Sequence, residues 1–234
     1  MFIEIRRFRI ICMVAAVVDL QITMGNEMNY FEVRSKSLAD SEKLGFPRAD
    51  ILPILDEELV IRPVEEIIDR ALVLSVVVAV SYGFPRNKAL SWLEKESLTD
   101  SLSSLELKFV KSSSQLSQVF QVQVEALCAF AWGLGYLPTL DFSAASPNHL
   151  VSVFPDFKVL ESARRFREKA RLLPVSDMVS ALDLAYCLHW GISHARLGGG
   201  IVPGKVPPHV IVERHRALEW MFSSVDWDDI SLDT

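Results

Sequence analysis

The sequence contains few cysteines, and their placement excludes a disulfide framework. The 234 residues include three, Cys12, Cys128 and Cys187, which are widely spaced and odd in number. Each lies in an apolar stretch, which is typical of buried thiols in a reducing compartment. No C-x-x-C pair is present, which excludes a zinc ribbon. We therefore expect a cytoplasmic protein.

The sequence also lacks a surplus of basic residues and any apolar run long enough to cross a bilayer. It has 24 Lys and Arg against 30 Asp and Glu, a net charge of −6, whereas nucleic-acid-binding domains are usually basic. The longest uncharged apolar runs, Ala71–Phe84 and Ala126–Leu140, fall short of the roughly 20 residues of a spanning helix. We expect neither a nucleic-acid partner nor a membrane span.

The N-terminus carries an incomplete signal-peptide pattern. Three arginines precede the apolar run Ile10–Val18, as in the first two regions of a secretory signal. Asp19 ends the run, and no small-x-small cleavage site follows it. We interpret residues 1–30 as an N-terminal extension, with a weak signal-like segment as the alternative.

Helical periodicity dominates the sequence from Arg34 onward. Apolar residues recur at spacings of three and four from Leu116 to Leu134, which predicts one long helix from about Ser114 to Gly135. A further helix is predicted from Pro155 to about Arg171. The valine run Val76–Val80 also fits a strand, but the length of its segment favours a helix.

Helix start and stop signals divide the rest of the chain. Pro63, Pro85, Pro174 and Pro207 stand where helices should begin, and Ser103 with Glu106 forms a capping box for another. We predict a single compact all-α domain of about eight helices over residues 31–234, with under a tenth of its residues in strands.

A glycine-rich loop near the C-terminus resembles a phosphate-binding loop without completing one. Gly199 and Gly204-Lys205 have the P-loop spacing, but Val206 replaces the Ser or Thr that binds magnesium. Pro203 removes a backbone donor, and a helix rather than a strand precedes the loop. We therefore interpret this stretch as a helix stop.

No metal or cofactor motif is complete. His189 and His194 lie five residues apart and point in different directions on a helix, and no H-E-x-x-H is present. The acids at the C-terminus lack the calcium-loop pattern and its glycine. These acids are Asp226, Asp228, Asp229 and Asp233. We expect no bound metal, flavin or nucleotide.

Two helices near the C-terminus combine charged, histidine and aromatic residues in an otherwise apolar chain. The penultimate helix carries Asp183, Tyr186, His189 and Trp190, and the last helix region carries Glu213, Arg214, His215, Trp220 and Trp227. Because Glu213 and Arg214 flank an apolar stripe, they should be partly buried and therefore paired. Arg70, Arg196 and Asp183 are the possible partners. Such a network can fix helix packing or form an active site, and the residues alone leave both open.

Several stretches resemble one bacterial family, known as domain of unknown function 4272. The similar stretches are Arg62–Leu72, Glu125–Leu127 with Trp132–Gly135, Val212–Trp220 and Trp227–Thr234. The chain departs from the family at Val122 and Gln123, where the family has Trp-Arg, and at Cys187, where it has Arg. The resemblance covers about residue 34 to the end and implies a helical fold without a particular activity.

The sequence leaves two hypotheses for function. The first is a non-catalytic helical module, of the accessory or immunity type, that binds a protein partner. The second is an enzyme, possibly a hydrolase, that uses Glu213, His215, His189 and Asp183 between the last two long helices. A surface cleft exposing these four side chains would favour the enzyme, whereas a closed cluster would favour the module.

Overall fold

Helices account for all the regular secondary structure in the part of the chain that can be described. The structure is a computed structural model that describes residues 28–49, 52–55, 59–112 and 116–233. Among these residues there is no strand, so the predicted all-α fold is confirmed. The interpretation of residues 1–30 falls almost entirely outside the described residues. The chain from Phe31 to Thr234 forms one compact unit.

The helices are joined by loops and by short 3-10 turns. They are α1 (Tyr30–Lys43), α2 (Val64–Ser81), α3 (Arg86–Lys95), α4 (Ser104–Lys111), α5 (Ser117–Val122), α6 (Val124–Gly133), α7 (Arg164–Lys169), α8 (Val175–Leu197) and α9 (Pro208–Phe222). The 3-10 turns are Thr99–Ser101, Leu150–Val153 and Trp227–Asp229. No helix among the described residues is both long and apolar enough to cross a membrane.

Helix α2 is central because it is apolar on nearly every face. Its valine run Val76–Val80 is helical, so the strand alternative is wrong. Pro63 precedes the first turn, where Glu65 and Glu66 favour the positive end of the helix dipole. The capping box that begins α4 is also present. The Ser103 side chain accepts from the Glu106 N–H, and the Glu106 carboxylate accepts from the Ser103 N–H.

The long helix predicted up to Gly135 is instead divided at Gln123 into α5 and α6. The Gln123 N–H bonds to the Phe120 carbonyl three residues earlier, which tightens the backbone into a local 3-10 turn. The helix predicted from Pro155 to Arg171 is also too long, because only α7 forms there. Before it, the Glu161 carboxylate accepts from the Asp156 N–H, and the Glu161 carbonyl accepts from Trp92.

Helix α9 lies between α6 and α8, and this packing positions the residues of interest. A Cβ placed on Gly133 of α6 would lie 3.4 Å from side-chain atoms of both Met178 on α8 and Met221 on α9. At the C-terminal end of α9, the rings of Phe130, Trp220 and Trp227 pack together with centroids 5.8–6.3 Å apart. The last two long helices therefore lie beside each other, and a histidine of each faces the other.

Candidate functional site

His189 of α8 and His215 of α9 form a direct contact in the interior. Their Nδ1 atoms lie 3.1 Å apart, so one ring donates a proton and the other accepts it. Burial lowers the pKa of His189 to about 4, helped by the positive charges of Arg196 and Arg216. Burial also lowers the pKa of His215 to about 3, with His189 and Arg216 adding to the effect. Both imidazoles are therefore neutral at neutral pH.

A tyrosine and a glutamate also lie close to the histidine pair. The Tyr186 ring centroid lies 5.9 Å from that of His215, and a Glu219 carboxylate oxygen lies 3.9 Å from His215 Nε2. Burial raises the pKa of Glu219 and also that of Tyr186 above their ordinary values. Glu219 and Tyr186 are the partly exposed members of this group, whereas both histidines are buried.

Asp183 lies on the same helix as His189 but interacts with Arg34 of α1. Arg34 Nε donates to both Asp183 carboxylate oxygens at 3.1 Å, and Nη2 donates to Oδ1 at 2.7 Å. The same guanidinium donates to the carbonyls of Leu52 and Pro53. Asp183 therefore anchors α1 and the following loop to α8, and it is not the partner of Arg214 that the sequence left possible.

Among the described residues, Glu213 has no charged partner on another helix. Its closest cation is Arg216 on the same helix, with the Glu213 Oε2 and Arg216 Nε atoms 3.3 Å apart but without hydrogen-bond geometry. Burial raises the pKa of Glu213, and the charge of Arg216 opposes this rise only in part. The expected pairing of Glu213 with Arg70 or Arg196 is therefore wrong.

Arg214 pairs with Glu125 of α6, a partner that the sequence interpretation did not identify. Arg214 Nε and Nη2 donate to Glu125 Oε2 at 3.0 and 2.5 Å, and Nη1 donates to the Asp141 carbonyl. Glu125 Oε1 accepts from the Ser146 N–H at 2.9 Å. The sequence did contain a signal for this pair, because Glu125 is a single acid at the start of the apolar helix α6. A buried acid of this kind needs a cation as its partner.

A third buried ion pair joins α2 to α4. Arg70 Nη2 lies 2.5 Å from Glu106 Oε1, and both side chains are almost completely buried. The Arg70 guanidinium carbon also lies 5.3 Å from the Trp227 ring centroid. Arg70 therefore holds the C-terminal segment and α4 against α2. It forms an ion pair with Glu106 and not with Glu213.

The tryptophans of α8 and of the α9 region pack against other side chains of the protein. Trp190 stacks on His194 with ring centroids 4.8 Å apart. Trp220 and Trp227 are buried at one end of α9. Arg62 lies over the Trp220 ring at 4.2 Å and donates to the carbonyls of Trp220 and Val225. Arg62 thereby caps the C-terminal end of α9 and fixes the segment that leads into α2.

A cleft of about 530 Å³ opens beside Arg62, between the first turns of α2, the loop before α4 and the C-terminal segment. Its charged lining residues are Arg62, Glu66, Asp69, Arg70, Asp100, Asp226, Asp228 and Asp229. Asp69 lies 2.6 Å from Arg167, and the Asp228 carboxylate accepts from the Leu105 N–H in the first turn of α4. Across the described residues, no three His, Cys, Asp or Glu side chains come together in a way that could hold a metal ion. Three of these acids, Asp226, Asp228 and Asp229, belong to the C-terminal group for which the sequence predicts no calcium site.

Comparison with known proteins identifies the family and nothing beyond it. Residues 33–230 match the model of the family described as Domain of unknown function (DUF4272), so the chain belongs to this family. No curated protein and no solved structure matches the chain.

Proposed function

We propose that this chain is a non-catalytic helical module, of the accessory or immunity type, that binds a protein partner. The observation that carries this proposal is the burial of the four candidate catalytic side chains. Asp183, His215, Glu213 and His189 are 1%, 2%, 7% and 8% exposed. Catalysis requires that a substrate come within hydrogen-bond reach of the acid or base, and groups this enclosed offer it little access.

The interactions of the buried charges also support an architectural role. Arg34, Arg70 and Arg214 each pair with a carboxylate on another helix. Buried polar groups that are satisfied within the protein stabilise one arrangement of the helices, and they are not free to bind a substrate. This arrangement therefore favours a function that depends on binding at the surface of the domain.

The alternative, a hydrolase, has one observation in its favour. His189 and His215 are in direct contact, and Glu219 lies near the outer nitrogen of His215, which is an arrangement that can pass a proton. The lowered pKa values of both histidines weigh against it, because a general base is most effective when its pKa lies near the working pH. Asp183 is also absent from the arrangement, since it is engaged by Arg34.

Recovery of the protein from its own cells, combined with an activity screen, tests the two hypotheses. We expect the tagged protein to co-elute with a second polypeptide at constant stoichiometry, with cross-links between the two chains. We also expect no turnover of chromogenic ester, amide or phosphoester substrates. The proposal is overturned if the protein elutes alone and hydrolyses one of these substrates in a reaction that His189→Gln abolishes in a folded variant.

A further inference from the structure

The cleft beside Arg62 concentrates negative charge. Its lining contains six carboxylates and two arginines, a surplus of four negative charges, whereas the whole chain carries a net charge of −6. A concave wall of one charge sign raises the local concentration of ligands of the opposite sign. Neither His189 nor His215 lines the cleft, so the cleft is separate from the histidine pair.

The positive charges within the lining are already engaged. Arg70 pairs with Glu106, and Arg62 pairs with Glu66 while it donates to two backbone carbonyls. In contrast, Asp100, Asp226 and Asp229 are exposed and form no ion pair with any residue that the structure describes. The negative charge of these three carboxylates is therefore available to a ligand.

The arrangement of the carboxylates favours a peptide over a bare metal ion. No three of them come together, in the part of the chain that is described, in the way that a metal ion needs. A peptide instead presents its cationic side chains at separate points along its backbone, and it can therefore meet carboxylates that are spread along a wall.

We propose that this cleft docks a lysine- or arginine-rich segment of a protein partner. This inference rests on the proposed protein-binding function and assigns to it a site and a partner chemistry. The volume of about 530 Å³ suits one or two long basic side chains and the backbone between them. Asp100, Asp226 and Asp229 attract the basic side chains, while Arg62 and Trp220 form part of the rigid wall.

Binding of a labelled peptide that alternates lysine and alanine, followed by fluorescence anisotropy at low salt, tests the proposal. The cleft variant is Asp226→Asn with Asp229→Asn. The control is Asp177→Asn with Glu94→Gln, which removes the same charge from exposed positions outside the cleft lining. We expect the cleft variant to weaken binding about fivefold, since exposed charge pairs each contribute a modest amount, and we expect the control to change it less than about twofold.

Three outcomes overturn the docking site. The first is an equal loss of affinity in both variants, which indicates attraction to net charge alone. The second is binding of Mg²⁺ or spermine that depends on Asp226 and Asp229 while the peptide does not bind, which indicates a small-cation site. The third is a native complex whose cross-links lie away from the cleft and whose stability is unchanged in the cleft variant. In that third case the protein-binding function stands and only the cleft assignment fails.

Discussion

Arg214 of α9 and Glu125 of α6 form an ion pair in which 1% and 3% of the two side chains are exposed. The remaining hydrogen bonds of the pair go to the Asp141 carbonyl and the Ser146 N–H, both in the loop that follows α6. One interaction therefore fixes two helices and a loop relative to one another. Because neither charge has access to water, the stability of this region depends on both being present.

We predict that Glu125→Gln strongly destabilises the domain. The substitution keeps the side-chain shape but leaves the Arg214 charge buried without its counter-charge, at a cost of about 3–5 kcal/mol. Chemical denaturation followed by circular dichroism measures the free energy of unfolding. The double variant Glu125→Gln with Arg214→Met is the control, and its loss should be clearly smaller than the sum of the two single losses. Additive losses would show that the two charges do not stabilise each other.

We predict that the same substitution at Glu213 has little effect or stabilises the protein at neutral pH. In the part of the chain that the structure describes, no cation on another helix pairs with Glu213, and burial raises the pKa of this carboxyl group. When the pKa of an acid is higher in the folded state than in the unfolded state, the folded state binds its proton more tightly. Raising the pH above the unfolded-state pKa therefore lowers the free energy of unfolding. Glu213→Gln removes this cost. A melting temperature that falls as far as that of Glu125→Gln would contradict the assignment.

The comparison of these two glutamates shows what the sequence could and could not predict. The position of Glu213 and Arg214 beside an apolar stripe correctly indicated two buried charges. It could not show which one faces a partner, because adjacent residues on a helix point about 100° apart and the partner lies 89 positions away in the sequence. The same limit applies to Arg34 and Asp183, which are separated by 149 positions.

The fold was more predictable than the site, because start and stop signals are local. Helix starts after Pro63, Pro85, Pro174 and Pro207 all follow from the chemistry of proline. The break at Gln123 was not predictable, because apolar spacing continues through a single 3-10 turn. The shortening of α7 also escaped prediction, because it depends on the hydrogen bond from Trp92 to the distant Glu161 carbonyl.

We predict that Gly191→Ala destabilises the domain, although alanine is the better helix former. A Cβ at Gly191 would lie 2.9 Å from a Phe46 ring carbon and 3.2 Å from Pro47, so the loop after α1 must move. Overpacking of this kind costs about 1–3 kcal/mol, which exceeds the roughly 1 kcal/mol gained from helix propensity. Gly133→Ala is the matched control, because its new Cβ meets flexible methionine side chains at 3.4 Å. Equal melting temperatures for the two variants would contradict close packing of the loop on α8.

We predict that the histidine pair makes the domain sensitive to acid. The pKa values of His189 and His215 are lowered to about 4 and about 3, from an ordinary value of 6.5. The unfolded chain therefore binds more protons than the folded chain below about pH 6.5, and stability falls as the pH decreases toward these folded-state values. Each histidine contributes a slope of at most about 1.4 kcal/mol per pH unit.

Unfolding free energies measured by chemical denaturation from pH 7 to pH 4 check this prediction. Acidic groups also titrate in the lower part of this range, so the histidine contribution is obtained by difference. The variant His189→Gln with His215→Gln removes both imidazoles while it retains polar groups that can hydrogen-bond. We expect this variant to lose less stability than the wild type between pH 6.5 and pH 5, because the buried histidines of the folded wild type resist protonation there. Parallel curves over that interval would show that His189 and His215 titrate at ordinary values and are not enclosed between α8 and α9.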